Sequence, residues 1–104
     1  MRDPAFLFYP GDWLGGTMGM TFEEKGAYLE LLIFQFNNDH FTEDQAKHML
    51  SMCSANVWEN IRHKFTVEGE FFYNERLRHE VHKRRKYVKS RQNNALRKKP
   101  KVDY

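Results

Sequence analysis

Between Phe22 and Asn37 the apolar positions fall at helical spacing. Leu29, Leu32, Ile33 and Phe36 lie at i, i+3, i+4 and i+7, and Phe22, Ala27, Tyr28, Leu31 and Phe34 widen the stripe. A face this broad has to be covered on more than one side, which predicts a central helix. Thr21-Phe22-Glu23-Glu24 forms a capping box at its start, and Asn37-Asn38-Asp39 ends it. Thr42-Glu43-Asp44-Gln45 repeats the capping pattern and predicts a second helix with Ala46, Met49 and Leu50 inward. A third helix is expected from Ser54, with Trp58, Ile61 and Phe65 sharing one face and Cys53 in the break before it. Two short helices joined by a tight turn predict a helix-turn-helix.

Strand signals are brief. Phe6-Leu7-Phe8-Tyr9 is an aromatic run stopped by Pro10-Gly11, which predicts a type II turn over Tyr9–Asp12 with Gly11 at positive φ. Lys64–Val67, the turn Glu68-Gly69-Glu70 and Phe71–Tyr73 read as a hairpin. Asn74 can cap a last helix carrying a sparse seam of Leu77, Val81 and Val88, with Tyr87 near it. Beyond about Ser90 the apolar residues thin, and Lys98-Lys99-Pro100-Lys101 reads as an uncompacted basic end. The expected fold is mainly α with a small β-sheet. It is a winged helix-turn-helix: a three-helix core, a hairpin wing that Phe6–Tyr9 could join as third strand, and a long basic C-terminal helix. Residues 1–90 would form this domain and 91–104 a basic flexible tail. Gly26 on the central helix is read as a point of close approach to another backbone.

Charge changes the picture. Residues 1–74 hold 5 Lys/Arg against 11 Asp/Glu, whereas residues 75–104 hold 12 Lys/Arg against 3 Asp/Glu. An acidic, aromatic-rich body carries a cationic arm, which points to a polyanionic partner, most often nucleic acid. A single cysteine excludes an intrachain disulfide and suits a reducing cytoplasm. No signal peptide or membrane-length apolar run is evident, and no membrane partner is expected.

Three separate blocks then carry a resemblance: "DPAFLFYPGDWLGGT", "MTFEEKGAYLELL" and "FFYNERLRHEVHKR". Their motif cores here are Tyr9–Leu14, Glu23–Leu32 and Asn74–Glu80. Over roughly Asp3 to Lys86 the chain resembles the YdaU-like family, a domain of unknown function found near the N-terminus of phage and prophage replication proteins. The resemblance implies a winged-helix domain that binds origin DNA or places replication proteins there, in the cytoplasm of a bacterial host cell, and it implies no catalytic residue. Many relatives continue into a further C-terminal domain.

The candidate interface follows from the charges. Arg76, Lys83, Arg84, Arg85, Lys86, Lys89, Arg91, Arg97, Lys98 and Lys99 along the last helix and tail would displace counterions from phosphates, giving affinity with little sequence specificity. They occupy several helix faces, so spacing defines no single stripe. On the third helix, Asn56, Asn60 and His63 would face outward with Arg62 and Lys64 at the edges, as a base-reading set. Glu59, Glu68 and Glu70 near them oppose that reading. His79 and His82 lack the companions a zinc site needs, and no metal or cofactor is expected. No paired carboxylates mark a nuclease, and the expectation is a non-enzyme. The alternatives are a protein adaptor recruiting a replicative helicase or another replisome component, and a transcriptional regulator. The seam of the last helix could pack on the body or against a second copy.

Overall fold

The computed structural model describes residues 5–102, with side chains through residue 94. The chain is mainly helical with one small sheet. It begins with an extended segment, Ala5–Tyr9, which leads into α1 (Pro10–Gly16). The expected turn and strand are absent here. Pro10 occupies the first helical position, where its missing N–H costs nothing and its fixed φ suits the helix, and Gly11 does not take positive φ. With three glycines in seven residues, α1 has poor intrinsic propensity and depends on tertiary contacts. Trp13 stacks on Tyr28 at 5.5 Å between ring centroids. At the helix end the buried Thr17 donates its hydroxyl to the Trp13 carbonyl at 2.7 Å.

Helix α2 (Phe22–Asn38) starts at the predicted capping box. The Glu24 N–H donates to Thr21 Oγ1 at 3.0 Å, and the Thr21 N–H donates to Glu24 Oε1 at 2.8 Å. The helix stops where Asp39 turns to φ 72°, the one non-glycine residue at positive φ among those described. Its buried line is Ala27, Leu31 and Gln35, with Tyr28, Leu32 and Phe34 packed beside it. Ile33, expected inward, is exposed. Nothing lies within 4 Å of a Cβ built on Gly26, so the close approach expected there does not occur.

Two residues, Phe41–Thr42, form β1, and Thr42 then caps α3 (Glu43–Met49) in a second complete capping box with Gln45. Helix α4 (Val57–Ile61) is shorter and later than the sequence suggests; a 3-10 turn, Arg62–Lys64, extends it. Strands β2 (Thr66–Glu68) and β3 (Phe71–Tyr73) make the predicted hairpin, with Gly69 at φ 63° in the tip. The sheet is antiparallel throughout in the order β1-β3-β2, with Phe41 opposite Phe72 and Val67 opposite Phe72. The third strand is therefore Phe41–Thr42 and not Phe6–Tyr9. The first aromatic run is drawn away because Phe6 lies against Phe36, 4.9 Å between centroids, at the far end of α2.

Between the helices and the sheet sits an aromatic core. Phe41 meets Phe65 edge-on at 4.9 Å and lies parallel to Phe72 at 5.9 Å, and Trp58 meets Phe72 edge-on at 5.2 Å. Ala27, Leu31, Ala46, Leu50, Val57 and Ile61 close around them. Trp58, Ile61 and Phe65 face this core as their spacing predicts.

Helix α5 (Glu75–Val102) runs on past residue 90 without a break, where the sequence suggests a tail. Its 28 residues rise about 42 Å, and the molecule measures 66 × 30 × 21 Å. Leu77 is buried and Val81 lines a cleft with the C-terminal end of α2. Among the described residues, no helix is long and apolar enough to cross a membrane.

Candidate nucleic-acid interface

The junction that launches α5 is built around Asn74. Its side-chain oxygen accepts from the Leu77 N–H at 2.9 Å, as an N-cap should. Its amide nitrogen donates to Tyr28 Oη at 3.0 Å and to the Lys64 carbonyl at 3.3 Å. The backbone of Asn74 is gripped from α2: Gln35 Oε1 accepts its N–H at 2.6 Å and Gln35 Nε2 donates to its carbonyl at 3.0 Å. Gln35 is 2 % exposed, so this amide replaces water for two backbone groups between strand β3 and helix α5. Burial holds the Tyr28 hydroxyl above its ordinary pKa.

The first two turns of α5 are neutralised by the body. Arg76 bonds the Asp12 carboxylate on α1 and lies 5.2 Å over the Tyr9 ring, and its charge is held more firmly by that bond to Asp12. Tyr9 Oη donates to Glu80 Oε2 at 3.2 Å. Arg78 bonds Asp39 at 3.2 Å, and its guanidinium lies 3.5 Å from the Tyr73 ring centroid. The sequence blocks around Tyr9, Tyr28 and Asn74 thus converge on one surface. They line a cleft of about 170 Å³ whose walls include Phe8, Trp13, Leu32 and Leu77.

Further along, the carboxylates stop. From Val81 to Val102 the sequence holds 10 Lys/Arg and no Asp/Glu. Among the described residues, no ion pair engages Lys83, Lys86, Lys89 or Arg91. Burial follows the Leu77, Val81 and Val88 seam that the spacing predicts. From Leu77 to Val88 the shielded positions are Leu77, Arg78, Glu80, Val81, Arg84 and Val88, and Arg84 Nε is enclosed with no hydrogen-bond partner among the described residues. Lys83, Lys86, Tyr87 and Ser90, at i, i+3, i+4 and i+7, occupy the opposite, exposed side. Arg85 sits beside Asn37, Asn38 and Asp39 at the cleft next to α2. Arg97, Lys98 and Lys99 lie on α5 beyond the described side chains.

The α4 set is arranged differently. Arg62 is committed to the body: its guanidinium bonds Glu43 at 3.1 Å and Glu59 at 3.3 Å and lies over the Trp58 and Phe72 rings. Asn60 donates to Glu24 Oε2 at 2.9 Å, and Lys64 donates to the Gly16 carbonyl. Asn56 and His63 remain exposed. A helix of five residues rises only about 8 Å. Its surroundings are acidic, with Glu23 accepting from the Ser54 N–H and Glu24 beside Asn60. The Thr21 N–H and then the Asn60 amide hold Glu24 below the ordinary carboxylate pKa; the Trp58 indole N–H does so for Glu43. These carboxylates stay ionised and repel phosphate.

Gln35 and Asp39 were not singled out from sequence. A lone Gln within an apolar stripe was the available signal for the first; nothing local marks Asp39 as the partner of Arg78. Among the described residues no cluster of His, Cys, Asp and Glu could hold a metal ion.

No curated protein and no solved structure matches the chain. A family model described as "protein of unknown function (DUF1376)" matches residues 6–85, which span α1 through the first turns of α5 and contain all three converging blocks. The chain therefore belongs to the DUF1376 family.

Proposed function

We propose that this protein is a non-enzymatic nucleic-acid-binding protein of the phage or prophage replication type, in which a winged-helix body of YdaU-like kind presents α5 to a phosphate backbone. The observation that carries the reading is the set Lys83, Lys86, Lys89 and Arg91, without ion-pair partners among the described residues, beside proximal arginines that have them. Such a helix releases counterions from DNA and binds with little base selectivity. The body orients the helix, and the α4 residues contribute at most Asn56 and His63.

Fluorescence anisotropy with labelled oligonucleotides over a salt series tests this. The variant Lys83→Gln/Lys86→Gln/Lys89→Gln/Arg91→Gln should bind far more weakly, with the slope of log K against log salt reduced by about 3–4. Binding equal to that of the unaltered protein would remove α5 as the interface. A second reading has its own support. Phe22 is 88 % exposed and Met52 96 %, on an acidic body, which suits docking of a replicative helicase or other replisome component.

A further inference from the structure

We infer that Tyr87 is a base-stacking residue and that α5 prefers single-stranded over duplex nucleic acid, an inference that rests on the α5 reading above. Tyr87 is 61 % exposed on a stretch of helix that is mostly cationic and polar, where the other apolar residues, Val81 and Val88, lie on the shielded side. Its described ring contact is with Arg91, whose guanidinium lies 6.0 Å from the ring centroid. Lys83 and Ser90 bracket the ring on the same face, separated by seven residues or about 10 Å along the axis. A ring held beside a guanidinium offers a platform for one nucleobase, while the lysines take the adjoining phosphates.

Three other ring–cation pairs show what distinguishes this one. Arg76 over Tyr9 and Arg78 over Tyr73 are each tied to a carboxylate, Asp12 and Asp39. Lys25 lies 5.4 Å from the exposed Phe22 ring, but Glu23 and Glu24 adjoin it. Around Tyr87 the nearest acid in sequence is Glu80, two turns away. In a duplex the base faces are already stacked on one another, and reaching one requires unstacking a step, which costs a few kcal/mol. An unpaired base needs no such opening.

The test measures binding of the full chain to a labelled single strand, the matching duplex and an abasic strand of equal length. Tyr87→Ala should weaken single-strand binding about 5- to 100-fold. The salt slope should not change, because tyrosine carries no charge, and duplex binding should change less than twofold. Tyr87→Phe should restore the single-strand affinity, and the abasic strand should bind the unaltered protein about as weakly as the base-bearing strand binds Tyr87→Ala. Equal losses on single strand and duplex, or none on either, would overturn the stacking role while leaving the α5 interface standing. Failure of the unaltered protein to bind any of the three would remove the interface itself and the inference with it.

Discussion

Both parts of α5 carry cations, and those cations have opposite electrostatic fates. In the first turns, Arg76 and Arg78 meet Asp12 and Asp39, and each lies against a tyrosine ring. Further along, Lys83, Lys86, Lys89 and Arg91 are exposed, and the helix carries no Asp/Glu after Glu80. The difference lies in the body beneath, which sets Asp12 and Asp39 against the proximal arginines and lines a cleft with α5 as far as Arg85. The lesson is that a net charge read over 30 residues overstates the free field. Only its distal portion is available to a polyanion.

The comparison breaks first at its foundation, the clamp that holds the proximal turns. Gln35→Leu strands the N–H and carbonyl of Asn74 in a buried place, and should lower the unfolding free energy by about 2–4 kcal/mol. Urea denaturation measures this; a change below half a kilocalorie would mean that water replaces the amide. Arg78→Gln removes a partly shielded ion pair and a cation–π contact and should cost about 1 kcal/mol. Its salt slope for nucleic acid should stay unchanged, in contrast to the distal lysines. If Arg78→Gln reduces that slope, the proximal turns are not neutralised.

Acid sharpens the contrast from the body's side. Glu24 and Glu43 titrate below their ordinary values when folded, so the unfolded chain binds their protons first as pH falls. Their contribution is complete above the unfolded carboxylate pKa of about 4.3 and disappears as pH drops through the lower folded values. Thermal melts should therefore hold near neutral pH and fall below about pH 4.5. Glu43→Gln should flatten part of that fall. The smallest expected effect is a gain. Gly26→Ala places a methyl in open space at an exposed position of α2 and should add about 0.5–1 kcal/mol of stability. Anisotropy should register no change in binding, since nothing lies within 4 Å of the added methyl.

Several elements were legible because their signals are local. Both capping boxes, the Gly69 hairpin and the Asn74 cap need only residues within a few positions of one another. The inward face of Trp58, Ile61 and Phe65 follows from spacing. Phe6–Tyr9 has the composition of a strand, but a strand requires an edge to pair with, and β3 already has Phe41–Thr42 there. Arg62 and Lys64 look like phosphate ligands in sequence. Only folding brings Glu43 and the Gly16 carbonyl to them.

Composition and short-range pattern were sufficient to set an acidic, aromatic-rich body, helices at their caps and a cationic final segment, because each depends on neighbours a turn or two away. Which of those cations are spent inside the molecule was decided by contacts across 39 and 64 residues. Pairing over such distances depends on where the chain's elements come to rest against one another, and no local spacing encodes it.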